Sequence, residues 1–451
     1  MTSLVVSTSM TGSQGGTSLR GGSGDRPRRV AFGSAVWIAI VALTPVERTI
    51  SFSFGGLPAH GVLVAILACA AFGRLARPAF SSVWPVLALL SLAAGLLTGA
   101  GVNPTASFWT GARFAIIIGL APFVLAFYVR ASPRFAIRAT WAFVAVQTVS
   151  ALAGFLQFGG AAVLGQVARG GRANGLAGHP NILGLMSSLA LLAVLRWVIG
   201  RNKGWLPALV VLVPIHLGTL VTSGSLSGTM ALVVGLPVLL VAQRAVTRIV
   251  SAGLLVVAIV VPVASAGGAS FAFLGDRVSE RVSSVSGVGD DATGSLLDRE
   301  QTYNYAIESI RTHPVIGRGL DGESSGTFNG VTVVHNYPLR AWFQGGVLLA
   351  VVALVVYSMG ALAVVNGIVQ GRWALPVAVV AAILVYAGSA AFLVQYQYWI
   401  PLLLAFAALP SSVRRTGGAV RDPRSTPPAL RSSNQAPVVT SSLVRPGRRQ
   451  G

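Results

Sequence analysis

Arginine and histidine residues in two connections between apolar stretches could bind phosphate and accept a proton. The first connection is RGGRANGLAGHPN at 169–181, and it contains Arg169 and Arg172. Arginine presents a planar fork of donors suited to phosphate oxygens, and glycines let the backbone approach a ligand closely. The same segment is also typical of a turn into a helix, with Asn181 as its cap. It therefore predicts either an anion site or a helix entry.

The second connection contains a histidine, His335, followed by Asn336. Imidazole titrates near neutral pH, so His335 could act as a general base towards a hydroxyl group. The alternative is a histidine that only anchors the following helix at an interface. Arg299 and the segment HPVIGRG, which includes Arg318, precede this pair. The proline and glycines of HPVIGRG predict a helix end followed by a turn.

The composition indicates what kind of protein positions these residues. Hydrophobic residues make up 53% of the 451 residues and charged residues 10%, which leaves too little polar surface to cover a soluble globule. The formal net charge is +21, but the arginines lie in short connections between apolar stretches and not along one soluble face. This arrangement indicates membrane topology and not nucleic-acid binding. We therefore predict an all-α integral membrane protein.

A helix needs about 20 apolar residues to cross a hydrocarbon core of about 30 Å. The sequence predicts about twelve transmembrane helices, with a large extracytoplasmic loop between the ninth and the tenth of them. Together they form a transmembrane domain over residues 30–410. The predicted spans are 31–46, 58–73, 84–99, 112–129, 136–157, 180–199, 205–221, 228–243, 249–266, 339–366, 374–393 and 397–410.

The positive residues predict the orientation, because cytoplasmic connections collect arginine and lysine. With the N-terminus inside, every even-numbered connection should be basic, and each of them is. We therefore expect a multi-pass protein of the cytoplasmic (inner) membrane with both termini in the cytoplasm. The basic connections contain Arg74 and Arg77; Arg130, Arg134 and Arg138; Arg196, Arg201 and Lys203; Arg244 and Arg248; Arg372; and Arg414 and Arg415.

The two terminal segments lie outside the predicted spans. Residues 1–29 are rich in Ser, Gly and Thr, and residues 411–451 are rich in Pro, Ser and Arg. These compositions bury too little apolar surface to form a core. We therefore expect both segments to be disordered cytoplasmic tails.

The connection 267–338 contains nine of the twelve acidic residues of the chain. A structureless loop of this length would be unusual. Within it, residues 296–311 have helical spacing, with Leu297, Tyr303 or Asn304, and Ile307 on one side. We expect a large, partly helical extracytoplasmic loop.

Several of these motifs follow one another in a characteristic order. The order is Arg172-Ala-Asn174-Gly175, Pro180-Asn181, Arg299, HPVIGRG at 313–319, His335-Asn336 and Gly345-Gly346. It resembles the O-antigen ligase and O-antigen polymerase superfamily, whose members have about a dozen spans and one large outward loop late in the chain. The resemblance covers nearly everything between the two tails. One segment differs, because TSGSLSGTM has Leu226 where many members have an arginine.

The resemblance implies a metal-independent membrane glycosyltransferase of the cell envelope. Its donor would be a polyprenyl-diphosphate-linked glycan, and its acceptor the sugar hydroxyl of a glycan or lipid-linked molecule, with membrane lipids around both. The sequence contains no Asp-x-Asp motif and no His/Cys cluster, so no metal or other cofactor is predicted. The site residues implied are the catalytic His335 and the diphosphate- or substrate-binding Arg172, Arg299, Arg169, Arg318 and Asn336.

Two other classes of protein remain open at this stage. One is a transporter of polysaccharide or lipid-linked oligosaccharide without catalysis, and the other is a membrane scaffold whose outer loop binds a partner. Transporters commonly have charged residues within their spans and a repeat that relates their two halves. In this sequence the spans have almost no charged residues, and no repeat is detected between the halves. Among transferases, a polymerase and a ligase differ only in the acceptor. The composition suggests a host of high genomic G+C content. Such hosts can lack lipopolysaccharide, which favours an exopolysaccharide polymerase.

Overall fold

The computed structural model describes residues 25–54, 56–98, 103–168, 171–244, 293–321, 327–328, 332–390 and 392–410. The predicted ninth span, 249–266, therefore lies outside the described residues. So do most of the predicted tails, residues 1–24 and 411–451. Helix α1 begins at Asp25, so residues 25–29 of the predicted tail are helical, while the candidate span begins at Val30, next to the predicted start at residue 31.

Helices form nearly all of the described structure. A 3₁₀ turn, Thr44–Val46, joins α1 to α2, and a π-helical turn, Ala208–Leu212, lies inside α8. The helices are α1 (Asp25–Leu43), α2 (Glu47–Phe54), α3 (Leu57–Ala71), α4 (Val83–Thr98), α5 (Pro104–Ala131), α6 (Phe135–Phe158), α7 (Pro180–Ile199), α8 (Trp205–Ser223), α9 (Leu226–Ala242), α10 (Thr293–Thr312), α11 (Tyr337–Gln370), α12 (Ala374–Ala387) and α13 (Tyr396–Ala408).

The described part of the chain contains six helices that are long and apolar enough to cross a membrane. Four shorter apolar helices, α3, α4, α9 and α12, have 14 to 17 residues. At 1.5 Å per residue these reach about 20–25 Å, less than the full hydrocarbon thickness. The all-helical fold is confirmed, and the count of twelve spans stays a prediction. The bounds predicted for α7 agree with the structure at both ends.

Glycines let several helix pairs approach closely. A Cβ built on Gly111 of α5 would lie 2.7 Å from the Cα of Gly95 of α4. A Cβ on Gly228 of α9 would lie 2.9 Å from the Cα of Gly184 of α7. Small residues at such crossings allow backbone contact, which drives helix association where the surrounding lipid is as apolar as the side chains. The α7–α9 contact lies close to the segment that contains Arg172.

The helix predicted at 296–311 is confirmed as α10, and its buried face is not the side that carries Ile307. Ile307 is 41% exposed, whereas Thr302, Ala306 and Ser309 are buried. Ala306 packs with Phe343 of α11 and with Val334. These small side chains let α10 lie close to α11. The contact with α11 therefore determines which side of α10 is buried. A short hairpin of strands β1 (Thr327–Phe328) and β2 (Thr332–Val333) lies between α10 and α11.

The HPVIGRG segment lies against a break inside α11. Gly346 has φ 62° and ψ −161°, so the helix is interrupted there. The freed backbone groups bond to HPVIGRG: Val347 N donates to Val315 O at 3.1 Å, and Gly319 N donates to Gln344 O at 2.9 Å. The prediction of a helix end followed by a glycine turn is confirmed, because Gly317 and Gly319 both have positive φ.

Replacing Gly346 by alanine should destabilise the protein. Its φ and ψ lie in a region available almost only to glycine, and a Cβ there would collide with the carbonyl of Val315. Such strain costs about 1–3 kcal/mol. We expect a lower thermal unfolding temperature for Gly346→Ala in detergent, followed by tryptophan fluorescence. The matched control is Gly61→Ala in α3, where a Cβ meets no atom within 4 Å. Equal unfolding temperatures for the two variants would contradict this account of the break.

Candidate functional site

Two buried tyrosines lie at the centre of a cationic cluster. Tyr386 is near the C-terminal end of α12 and Tyr398 near the N-terminal end of α13, with 1% and 4% of their surfaces exposed. Their hydroxyl groups share a hydrogen bond, and their ring centroids are 5.6 Å apart. Buried tyrosine hydroxyls need polar partners, and this pair supplies one to each of them.

Four arginines from four different segments surround this pair. The hydroxyl of Tyr386 is within electrostatic range of Arg172 and Arg299. The hydroxyl of Tyr398 is within electrostatic range of Arg48 and Arg340, and also of the acidic Glu47, which precedes Arg48. The four arginines come from α2, the connection before α7, α10 and α11, so only the folded chain brings them together. The four arginines outnumber Glu47, so this group of side chains has a net positive charge.

Arg172 is held in a fixed orientation by two helix ends. Its Nε donates to the carbonyl of Ser223, at the end of α8, at 2.8 Å. Its Nη2 donates to Oδ1 of Asn181, in the first turn of α7, also at 2.8 Å. Asn181 is not the helix cap that the sequence predicted, because the side chain of His179 occupies that position and accepts from Asn181 N. Asn181 instead orients Arg172, so the turn and the arginine site are parts of one structure.

Arg172 lies beside TSGSLSGTM, the segment in which Leu226 replaces the arginine of many superfamily members. Leu226 is 46% exposed, and Ser225 caps α9 by accepting from Gly228 N at 3.1 Å. Arg172 bonds to Ser223 of the same segment. A guanidinium group is therefore present beside this segment, although it comes from the connection before α7 and not from position 226.

Arg299 and His335 lie near each other where α10 meets the start of α11. Burial lowers the pKa of His335 from its usual value, and the positive charges of Arg299 and then Arg340 lower it further. The backbone of Val333 opposes this shift by a hydrogen bond. His335 is therefore neutral at physiological pH. Arg299 also acts electrostatically on Tyr303 and Tyr386, so its guanidinium lies between α10 and the tyrosine pair.

One imidazole nitrogen of His335, Nδ1, is buried and lacks a hydrogen-bond partner within the described part of the chain. The backbone is held in place from α10, because the hydroxyl of Tyr303 donates to the carbonyl of His335 at 2.9 Å. The unpartnered nitrogen can accept a proton once an acceptor hydroxyl comes within hydrogen-bond distance of it.

The residues next to His335 connect it to the other helices. Oδ1 of Asn336 caps α11 by accepting from Leu339 N at 3.0 Å, and its Nδ2 donates to the carbonyl of Gly388 at 3.1 Å. Asn336 therefore joins the start of α11 to the end of α12, near Tyr386. Arg340 is only 4% exposed, and its Nε donates to Oε1 of Gln344 at 2.7 Å.

Two predicted site residues are not placed with this cluster. Arg318 is exposed, and its Nε donates to Oγ of Ser309 at 2.7 Å, which joins HPVIGRG to α10. None of its described contacts reaches His335 or Arg172. Arg169 lies outside the described residues. Arg172 and Arg299 both act on Tyr386, and Arg299 also acts on His335, which Asn336 follows in the chain.

Sequence reasoning missed two arginines of the cluster. Arg48 lies in the first predicted outward connection, and Arg340 lies in the first turn of an apolar span. Both break the rule that positive residues collect on the cytoplasmic side. That signal could have revealed them, and Arg169 and Arg172 also lie in a connection predicted to face outward. The tyrosine pair gave no comparable signal, since aromatic residues are common near the ends of membrane helices.

The fold and the cluster together define a multi-pass membrane protein with a cationic site at one end of its helices. Residues 208–354, about a third of the chain, match the family model described as O-antigen ligase. This match confirms the resemblance over a region that includes Arg299, Arg318, His335 and Asn336, and it implies glycan transfer of the ligase or polymerase type in general. Arg172 precedes the matched region. No curated protein and no solved structure gives a match.

Proposed function

We propose that this protein transfers a glycan from a polyprenyl-diphosphate donor to a sugar hydroxyl at the outer face of the cytoplasmic membrane. It would act as a polymerase or a ligase of exopolysaccharide or O-antigen type. The observation that supports this most is the convergence of Arg172, Arg299 and His335 from three segments far apart in the sequence. Arginine forks suit the diphosphate, and the neutral imidazole suits the acceptor hydroxyl.

The proposed reaction is a displacement at the anomeric carbon of the donor glycan. The acceptor oxygen forms a bond to that carbon while the bond to the diphosphate oxygen breaks. His335 takes the proton of the acceptor hydroxyl, and the polyprenyl diphosphate leaves with the bonding electron pair. Arg172 and Arg299 stabilise the negative charge that develops on the leaving group, as preorganised positive groups do in other transfers.

Because diphosphate is a good leaving group and arginines supply the countercharge, the proposed reaction needs no metal ion. The lipid part of the donor would stay among the apolar helices while its diphosphate meets the cluster. The N-terminal ends of α7 and α11 lie beside the cluster, and the positive end of a helix dipole favours an anion there.

The test is transfer from a polyprenyl-diphosphate glycan by the purified protein in lipid, with and without a chelator. We expect wild-type product in both conditions, and a loss of roughly 10²–10³-fold for Arg299→Ala, the usual cost of removing a donor that stabilises developing charge. Arg311→Ala is the matched control, because Arg311 lies on the same helix and is exposed, with its ion pair to Glu308 at the surface.

Three outcomes would contradict the proposal. Activity that disappears with the chelator would contradict the metal-free reaction. Equal activity of Arg299→Ala and Arg311→Ala would contradict the role of the cluster. No turnover by the folded wild-type protein with any polyprenyl-diphosphate donor would favour a transporter or a scaffold.

A further inference from the structure

A polar cavity lies at the opposite end of the helices from the cationic cluster. It has a volume of about 230 Å³ and is lined by Arg196 from α7, Gln243 after α9, and Arg372 before α12. The side chains of both arginines are exposed at its mouth. Among the described residues that line it, none is acidic. The described lining of the cavity therefore carries positive charge, which suits an anionic group.

A larger apolar cavity adjoins the polar one. Its volume is about 630 Å³, and it shares Arg196, Gly200, Trp373 and Ala374 with the polar cavity. It is lined mainly by apolar side chains of α6, α7, α12 and α13 and extends as far as Leu189, halfway along α7. A cavity of this size is typical of ligand sites. The cationic cavity thus lies directly beside an apolar cavity, and the two have these four residues as common walls.

The two cavities occupy the membrane face that the positive residues predict to be cytoplasmic. Helix α7 starts at Pro180, beside the cluster, where Asn181 bonds to Arg172, and its last turn carries Arg196. Its 20 residues span about 30 Å. Helix α12 runs the other way, from Ala374 at the cavity to Tyr386 at the cluster. The cavities therefore belong to the opposite leaflet from the proposed transfer site.

Three tryptophans line the cavities. Trp141 and Trp197 line the apolar cavity with ring centroids 5.2 Å apart and planes at 90°. Trp373 lines both cavities, and its φ of 54° is unusual for a bulky residue. Tryptophan is enriched at the headgroup level of membranes, and a strained backbone is retained where the surroundings hold it in place.

The polar cavity also contains an unsatisfied amide. Both polar atoms of the Gln243 side chain are buried and have no hydrogen-bond partner among the described residues. An orphaned buried amide is destabilising unless a partner is supplied. A polar headgroup entering the cavity, with a small shift of the side chain, would supply one.

We propose that these two cavities form a binding site for one anionic phospholipid of the cytoplasmic leaflet. Its phosphate would lie between Arg196 and Arg372, and one acyl chain would fill the apolar cavity towards the middle of the membrane. This occupant satisfies both halves of the space, because its charge is opposite to that of the mouth and its chain matches the apolar walls. The site is separate from the transfer site.

The test is native mass spectrometry of the full-length protein with phosphatidylglycerol or phosphatidylcholine added to the detergent. Each arginine near a membrane surface contributes roughly a fivefold gain in affinity for anionic lipid. We expect the double variant Arg196→Ala/Arg372→Ala to bind phosphatidylglycerol roughly 10- to 30-fold more weakly. The double variant Arg77→Ala/Arg130→Ala is the matched control, because it removes the same charge from the same predicted face without touching either cavity.

A second variant tests the apolar half independently. Ala136 is half-buried at the wall of the apolar cavity. Ala136→Trp should fill this space and reduce phosphatidylglycerol binding while both arginines remain. Free glycerol phosphate should not displace the lipid, since it has no acyl chain. Equal binding of both lipids, equal effects of the two double variants, displacement by glycerol phosphate, or unchanged binding by Ala136→Trp would each overturn the proposal.

Discussion

Replacing His335 by glutamine should lower the rate of glycan transfer by roughly 10²–10⁴-fold, the usual contribution of a positioned general base. Glutamine retains hydrogen-bonding capacity but cannot accept the proton of the acceptor hydroxyl. The backbone carbonyl of His335, which accepts from Tyr303, is unaffected by this change. The measurement is kcat with a saturating donor and a glycan acceptor.

The control is a second histidine outside the cluster. His60 is exposed at the start of α3 and contacts Arg113 and the backbone of Gly56. His60→Gln removes the same functional group and should leave transfer unchanged. If His335→Gln transferred as fast as the wild type while folding normally, His335 would only anchor α11. This is the alternative that the sequence left open.

The pH dependence of transfer provides an independent test of the same residue. Burial and the neighbouring arginines lower the pKa of His335, so the neutral base persists below the ordinary histidine value of about 6.5. The rate should therefore fall only as the pH drops through this lowered pKa, where the imidazole becomes protonated. Arg299→Gln removes a positive charge, so the pKa of His335 should rise and the acid limb should move to higher pH.

The acid limb distinguishes this role of Arg299 from simple binding of the donor. A binding contact alone would change the size of kcat/KM but not the pH at which it falls. The measurement is the pH profile of kcat/KM for the wild type and for Arg299→Gln. An unchanged limb would mean that Arg299 does not influence His335 in solution.

Local patterns in the sequence predicted the parts of the fold that depend on local chemistry. The bounds of α7 follow from an apolar run with proline at its start and glycine at its end. HPVIGRG was correctly predicted as a helix end and glycine turn. The reason that its glycines are needed could not be predicted, because it depends on Gly346 in a helix far along the chain.

The features that the sequence did not predict depend on partners distant along the chain. The spacing of Ile307 indicated a helix but not its buried side, and Ala306 is buried because Phe343 packs there. Asn181 has the right residue type for a cap, but His179 caps the helix and leaves Asn181 to orient Arg172. Periodicity gives the spacing of a face, and only the packed partner decides which face is used.

The candidate site shows the same division between local and distant information. Residue type and outward position were enough to select Arg172, Arg299 and His335. Their convergence depends on how α8, α10 and α12 pack, which no local pattern records. Arg340 was overlooked because it lies inside an apolar stretch that is otherwise typical of a membrane span.

Replacing Arg172 by alanine should lower kcat/KM by roughly 10²–10³-fold, the usual cost of removing a preorganised donor to developing charge. Arg172→Lys should recover only a small part of this loss. Lysine keeps the positive charge but presents a single point, so it cannot bond to Ser223 and Asn181 and still face a diphosphate. The measurement is kcat/KM for transfer, with the thermal unfolding temperature of each variant as a check on folding.

The controls separate the charge of Arg172 from its orientation. Arg134 is an exposed arginine at the predicted cytoplasmic end of α6, and Arg134→Ala should transfer like the wild type. Asn181→Ala keeps the charge of Arg172 but removes one of its two anchors, so it should lower kcat/KM less than Arg172→Ala. A folded Arg172→Lys variant with full activity would contradict the need for a fixed fork. A scaffold or a passive transporter would show no transfer with the wild type or with any of these variants.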